Sequence, residues 1–270
     1  MIKLITDLFG VDKPIIGMCH LRALPGDPGY DADKGLDWVY DQAAADLEAL
    51  QSGGVDAVLF SNEFSRPYLT EVEPVTVACM ASLIARLKPA IKIPFGVDVL
   101  WDAKAALDLA IATGAQFVRE VFTGVYGSDF GLWNTHCGEV IRHQHRIGAE
   151  NVRLFFNIVP EAAAYLGDRS IADIAYSTVF NTLPDALCVS GITAGRRVSS
   201  DTLRIVKEIV PEVPVFANTG VNLENITEQL DIADGAVVGT AFKKDRVTWN
   251  PVERDRVQEL MTIVRSLRGE

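Results

Sequence analysis

Cysteine is scarce and scattered: Cys19, Cys79, Cys137 and Cys188 are the four in 270 residues, and no two stand as C-x-x-C. That argues against a disulfide framework or a zinc knuckle, both of which need cysteines at short, regular spacing. No apolar run approaches the roughly 20 residues that a helix needs to cross a bilayer. The start, Met1-Ile2-Lys3-Leu4, has neither the apolar core nor the cleavage site of a secretory signal. Positive charge is in deficit, with 25 Lys and Arg against 36 Asp and Glu and a formal charge of −11. The footprint of a nucleic-acid binder is therefore missing. Two nucleotide signatures are absent as well, G-x-G-x-x-G at the first strand–helix turn and G-x-x-x-x-G-K-[ST] anywhere. The expectation is a cytoplasmic chain with reduced thiols that binds neither nucleic acid nor membrane.

What the chain does have is a regular alternation of short apolar runs with helical patterns. The runs are Pro14–His20, Ala57–Asn62, Phe95–Leu100, Phe117–Phe122, Val152–Asn157, Ala186–Ser190, Val215–Asn218 and Ala236–Gly239. Helices are predicted over about 36–51, 74–87, 102–113, 135–147, 171–181, 201–210, 223–230 and 252–267. Gly53, Gly54 and Gly114 supply C-terminal stops, and Pro74 suits a first helical turn. Eight strand–helix units predict an α/β fold, a single (β/α)8 TIM barrel forming one domain over 1–270. An open doubly wound sheet is the alternative, but its glycine fingerprint is replaced here by His20-Leu21-Arg22-Ala23-Leu24-Pro25-Gly26.

In such a barrel, chemistry collects where the strands end. The residues there are His20, Asn62 and Glu63, Asp98, Arg119 and Glu120, Asn157, Ser190, Asn218 and Gly239. A carboxylate in a partly closed mouth loses solvation, which raises its pKa toward the range of a general base. Glu120, Asp98 and Glu63 are therefore the acid–base candidates, with His20 as partner acid and Asn62 and Asn157 as orienting groups. Arg119 and Glu120 are strand neighbours, so one faces the lumen and the other the helices; Glu120 is expected inside. The last three loops, Ser190 to Gly195, Asn218-Thr219-Gly220 and Gly239-Thr240, combine glycine with hydroxyls, as a phosphate cradle does. The expected contacts are Ser190, Gly191, Thr193, Gly195, Asn218, Gly220, Gly239 and Thr240, with Lys243 and Lys244 as further phosphate partners.

No lysine ends a strand, which weighs against a Schiff-base mechanism. His143 and His145, two apart on a helix, are expected on its solvated surface; His136 lies beside the long fourth loop. That loop, 123–133, and the Pro- and Gly-rich 24–33 have the composition of lids. Three functions compete. The leading one is proton transfer at carbon on a small phosphorylated sugar or related metabolite, as an isomerase, epimerase or lyase. A second is a metal-assisted hydrolase with Glu63, Asp98 and Glu120 holding Mg2+ or Mn2+. The third is a non-catalytic binding or assembly protein. A homo-oligomer, a dimer or higher, is the expected assembly.

Met18 to Gly26, Asp56 to Glu63, Pro94 to Trp101, Arg119 to Gly124, Phe156-Asn157-Ile158 and Ser190 to Gly195 together resemble the BtpA family. The resemblance runs over nearly the whole chain. It implies a TIM barrel of the ribulose-phosphate-binding type, which favours an anion at the last three loops. It implies little about reaction: one branch is named for photosystem I biogenesis. The branch this chain resembles most is associated with a sugar phosphotransferase and epimerase gene cluster. A nucleoside triphosphatase label also attached to the family finds no nucleotide motif here.

Overall fold

The computed structural model describes residues 3–191 and 198–270, so Thr193 and Gly195 of the expected phosphate cradle lie outside the described residues. The chain opens with helix α1 (Lys3–Phe9) and strand β1 (Ile15–His20), then α2 (Gly35–Gly53), β2 (Ala57–Ser61), α3 (Pro74–Leu87), β3 (Phe95–Asp98), α4 (Ala103–Thr113) and β4 (Phe117–Glu120). Next come β5 (Val125–Ser128), β6 (Gly131–Asn134), α5 (Cys137–Arg146), β7 (Arg153–Val159), β8 (Ala163–Tyr165), α6 (Ile171–Thr182) and β9 (Ala186–Val189). The last elements are α7 (Ser200–Ile209), β10 (Val215–Ala217), α8 (Ile226–Ile232), β11 (Gly235–Val238) and α9 (Arg254–Arg268). Strands β1, β2, β3, β4, β7, β9, β10 and β11 pair in that order, all parallel, and β11 returns to β1. This is the closed (β/α)8 barrel expected of the alternation.

Local chemistry sets the helix ends. Asp102 caps α4 by accepting from the Lys104 and Ala105 amides at 3.1 and 3.0 Å, and Gly114 stops it at φ 78°. Ser170 and Asp173 form a reciprocal capping box on α6.

Two apolar layers hold the fold. One lies between strands and helices; the other fills the lumen with Ile16, Met18, Leu59, Phe117, Phe155, Cys188, Phe216 and Val237. Helix α1, outside the alternating pattern, stoppers the lower end: the Phe9 ring lies 6.0, 6.3 and 6.2 Å from those of Phe117, Phe155 and Phe216. Gly96 makes room for that packing, since a Cβ there would stand 2.4 Å from the Phe117 ring.

Three expectations need correction. Segment 123–133 is not an irregular loop: it carries β5 and most of β6, an antiparallel hairpin that β8 extends to three strands. Its Tyr126 and Trp133 are buried with Trp101 and Val121, because large rings on alternate positions need a covered face. Lys243 is not a phosphate partner. It is buried, with Nζ 2.8 Å from Asp46 Oδ2 of α2, while Asp46 Oδ1 accepts from the Val252 amide at 2.7 Å. His143 is not solvated: it is buried against α4, Nε2 at 2.6 Å from Asp108 Oδ1, whereas His145 is exposed.

Candidate active site

Side-chain alternation places the last lumen-facing residue of each strand above the apolar filling. Continuing from Met18, Leu59, Gly96, Phe117, Phe155, Cys188, Phe216 and Val237, these are His20, Ser61, Asp98, Arg119, Asn157, Ser190, Asn218 and Gly239. The ring is polar apart from Gly239, and all its named side chains are buried. Arg119, not Glu120, shares the lumen face with Phe117. Parity puts Glu120 with Val118, whose side chain belongs to the outer layer. Asn62 likewise lies off the lumen face and is committed to structure, its Oδ1 accepting from the Leu100 amide at 2.8 Å.

On one side of the ring, Asn218 Nδ2 donates to Ser190 Oγ at 2.6 Å, and the Ser190 hydroxyl donates to Asn157 Oδ1 at 3.1 Å. That chain leaves Asn218 Oδ1 without a donor. The Gly191 amide donates to Thr219 Oγ1, so it serves the loop itself. Thr240 shares its hydroxyl with Thr248 at 2.9 Å, and short 3-10 turns at Thr240–Phe242 and Lys244–Arg246 follow β11. Gly220 has φ 66°, a conformation that favours glycine. Gly239 is needed for a different reason: a Cβ would lie 3.3 Å from His20 Cε1 and 3.4 Å from Met18 Cγ.

On the other side are the charges. Asp98 Oδ2 accepts from Arg119 Nη2, a buried pair across adjacent strands β3 and β4. Burial works against the Arg119 cation, but Asp98 and Glu161 hold its proton more tightly than usual. Arg119 Nε has no partner. His20 Nε2 is 3.9 Å from Glu63 Oε2, and His20 Nδ1 is unpartnered. Burial, then the positive charges of Lys243, Arg119 and Arg22, hold the imidazole well below its ordinary pKa, so it is neutral at pH 7. Burial and then the neighbouring Asp98 push Glu63 up, while Tyr68 Oη donates to the Glu63 carbonyl at 3.0 Å and to its Oε1 at 3.3 Å.

Sequence reasoning missed Glu161. It follows Pro160, just beyond β7, and lines one small cavity with His20, Glu63, Arg119, Gly220, Gly239 and Thr240. Desolvation raises its pKa to about 7 against the pull of Arg119, with Glu63 and Asp98 adding to the rise. The signal was available only in part. The expected fifth strand ended at Asn157, whereas β7 runs on through an irregularity between Asn157 and Val159. Glu161 stands in the loop that follows this extension and so reaches the cavity at the strand ends.

The site is thus an Asp98–Arg119 pair at the floor, a neutral imidazole beside it, and two carboxyl groups whose burial favours protonation. Among the described residues, no three His, Cys, Asp or Glu side chains converge as a metal cluster. Asp98 is already engaged by Arg119, and Glu63, Asp98 and Glu120 do not converge as such a cluster, so they do not fit as a shared Mg2+ or Mn2+ ligand set. A larger cavity, about 860 Å³, lies outside the barrel among α3, α4, α5 and β6. Its charged groups are Lys104, Asp108, Glu139 and Arg146 from the surrounding helices and Glu71 and Asp102 from the loops that precede α3 and α4, and none of the ring of lumen-facing strand-end residues lines it. No helix among the described residues is long and apolar enough to cross a membrane.

The comparisons agree with the barrel. Phosphoribosyl anthranilate isomerase from Thermus thermophilus superposes with a TM-score of 0.57 over 94% of this chain and 100% of its own, at 11% identity. At that identity the likeness is one of fold. The putative sgc region protein SgcQ of Escherichia coli K12 is 61% identical over 264 residues, 98% of either chain. The photosystem I biogenesis protein BtpA of Synechocystis is 29% identical, covering 87% of this chain and 82% of its own. The BtpA family model matches residues 11–266. With the match spanning all eight barrel strands, the chain belongs to the BtpA family.

Proposed function

We propose that this barrel is an enzyme that moves a proton at carbon on a small phosphorylated sugar or related metabolite, as an isomerase, epimerase or lyase. One observation carries the reading: Glu161, with a pKa near 7, shares a cavity with neutral His20 and protonated Arg119. A base works best when its pKa lies close to the working pH. Glu161 would remove the proton from the carbon next to a carbonyl. Arg119 and the His20 N–H would then hold the enolate oxygen that develops, and the proton would return from Glu161 or leave through it. Gly220, Gly239 and Thr240, with Asn218 behind them, would receive the phosphate at the rim. The isomerase whose fold this chain shares is named for a phosphorylated substrate, which supports the class and not the compound.

The cavity is about 40 Å³, room for water and far below the roughly 300–1,000 Å³ of ligand pockets. The reading therefore requires the loop that carries Glu161 to lift when substrate binds, as barrel loops do in lid-gated enzymes. The test is thermal unfolding against phosphopentoses, phosphohexoses and inorganic phosphate. A ligand at 100 times its Kd stabilises by about 2.7 kcal/mol. A shift with one sugar phosphate, lost in Gly239→Asp, together with turnover lost in Glu161→Gln, supports the reading. A panel without any shift sinks it and leaves the binding or assembly role that the Synechocystis relative's name suggests.

A further inference from the structure

Two buried carboxyl oxygens close to the site have no hydrogen-bond donor, Asp98 Oδ1 and Glu120 Oε1. They belong to side chains in hydrogen-bond contact with each other, on adjacent strands of the barrel. Asp98 is 0% and Glu120 2% exposed, so neither oxygen can turn to water. The other oxygen of each is satisfied: Asp98 Oδ2 by Arg119 Nη2, and Glu120 Oε2 by the Val121 amide at 3.0 Å. Two ionised carboxylates in contact would repel each other in a dry interior and leave both acceptors bare. A single proton between them removes both faults.

We infer that Glu120 is a neutral carboxylic acid at physiological pH and donates a hydrogen bond from Oε1 to Asp98 Oδ1. The proton belongs on Glu120 because Asp98 faces the Arg119 cation, whereas Glu120 has only a backbone amide. Burial and the nearby Asp98 push the Glu120 carboxyl well above its usual pKa, with Arg119 acting in the opposite direction. The three groups together then carry no net charge. Asp98 is held from both sides, by Arg119 and by Glu120, and Arg119 is held with its free Nε edge available. Glu120 is accordingly a positioning residue for Arg119 and not the base expected from the sequence. This holds whatever the substrate is.

Infrared spectroscopy of the intact protein, without substrate, tests it. At about pH 9, where Glu161 has ionised, the wild type should show the carbonyl stretch of a buried protonated carboxyl group, shifted in D2O. The band should vanish in Glu120→Gln and persist in Glu161→Gln and Glu63→Gln. Glu120→Gln should also melt close to the wild type, because its amide can donate to Asp98 Oδ1 in place of the acid. Glu120→Ala, which leaves that oxygen bare, should melt several degrees lower. Absence of the band in the wild type, its survival in Glu120→Gln, or equal melting of the Gln and Ala variants would each overturn the inference. None of these readouts depends on the proposed reaction.

Discussion

Replacing Lys243 by Met should cost this protein much of its thermal margin, although the residue lies behind the rim and touches nothing in the cavity. Lys243 and Asp46 are 1% and 3% exposed in their side chains and 2.8 Å apart. Methionine keeps the length of the stem but removes the ammonium group, leaving Asp46 Oδ2 buried without a donor while Oδ1 keeps the Val252 amide. Removing one partner of a buried ion pair costs about 3–5 kcal/mol. With an unfolding entropy of about 2.1 cal/mol/K per residue, 270 residues give about 0.6 kcal/mol/K, so Tm should fall by about 5–9 °C. Calorimetry measures it directly. Asp46→Asn combined with Lys243→Met should recover at least half of the loss, because the desolvated charge is then gone while the side-chain oxygen still accepts from the Val252 amide. A single-variant shift below about 2 °C, or a double variant less stable than either single one, would refute the reasoning.

Further outcomes follow from the same residues. Glu161 resists ionising in the folded chain, so its contribution falls as pH rises from its unfolded value of about 4.5 to its folded value of about 7 and is flat above that. Glu161→Gln should therefore melt higher than the wild type, with a gap that opens over that window and then stays constant. His20 has the opposite sense: held neutral in the fold, it lowers stability as pH falls below its unfolded value of about 6.5. His20→Gln should flatten that part of the Tm–pH curve. Gly96→Ala places a Cβ 2.4 Å from the Phe117 ring and should cost about 1–3 kcal/mol in denaturant unfolding, an overpacking effect absent at exposed Gly29→Ala, where the new Cβ would meet only the Ala23 Cβ at 3.5 Å.

The barrel was legible because each strand is a short apolar run followed by a helix with its own start or stop signal, such as Pro74 or Gly114. Rim positions followed from counting. What counting could not decide was phase. Arg119 and Glu120 are equally polar, and the lumen took Arg119 because Phe117 two residues earlier packs against Phe155 at 5.1 Å. Nothing local announces that contact. Lys243 was misplaced for a similar reason, since its partner Asp46 lies 197 residues away. The hairpin at β5 and β6 looked like a loop because Gly124, Gly127 and Gly131 outweigh its alternating Tyr126 and Trp133 in composition. Gly124 and Gly131, at φ 103°, instead shape its bends. Glu161 escaped because it belongs to a loop whose course depends on where β7 ends.

The phenylalanine stopper under the lumen bears on traffic through the molecule. With Phe9 seated on Phe117, Phe155 and Phe216, the described residues leave no passage at the lower end, and the cavity lies where the strands end. Whatever occupies the site must leave by the doorway through which it came. One ligand in the mouth would hold off the next, so any two ligands of this site would exclude one another, and exchange would be paced by how quickly that one opening clears.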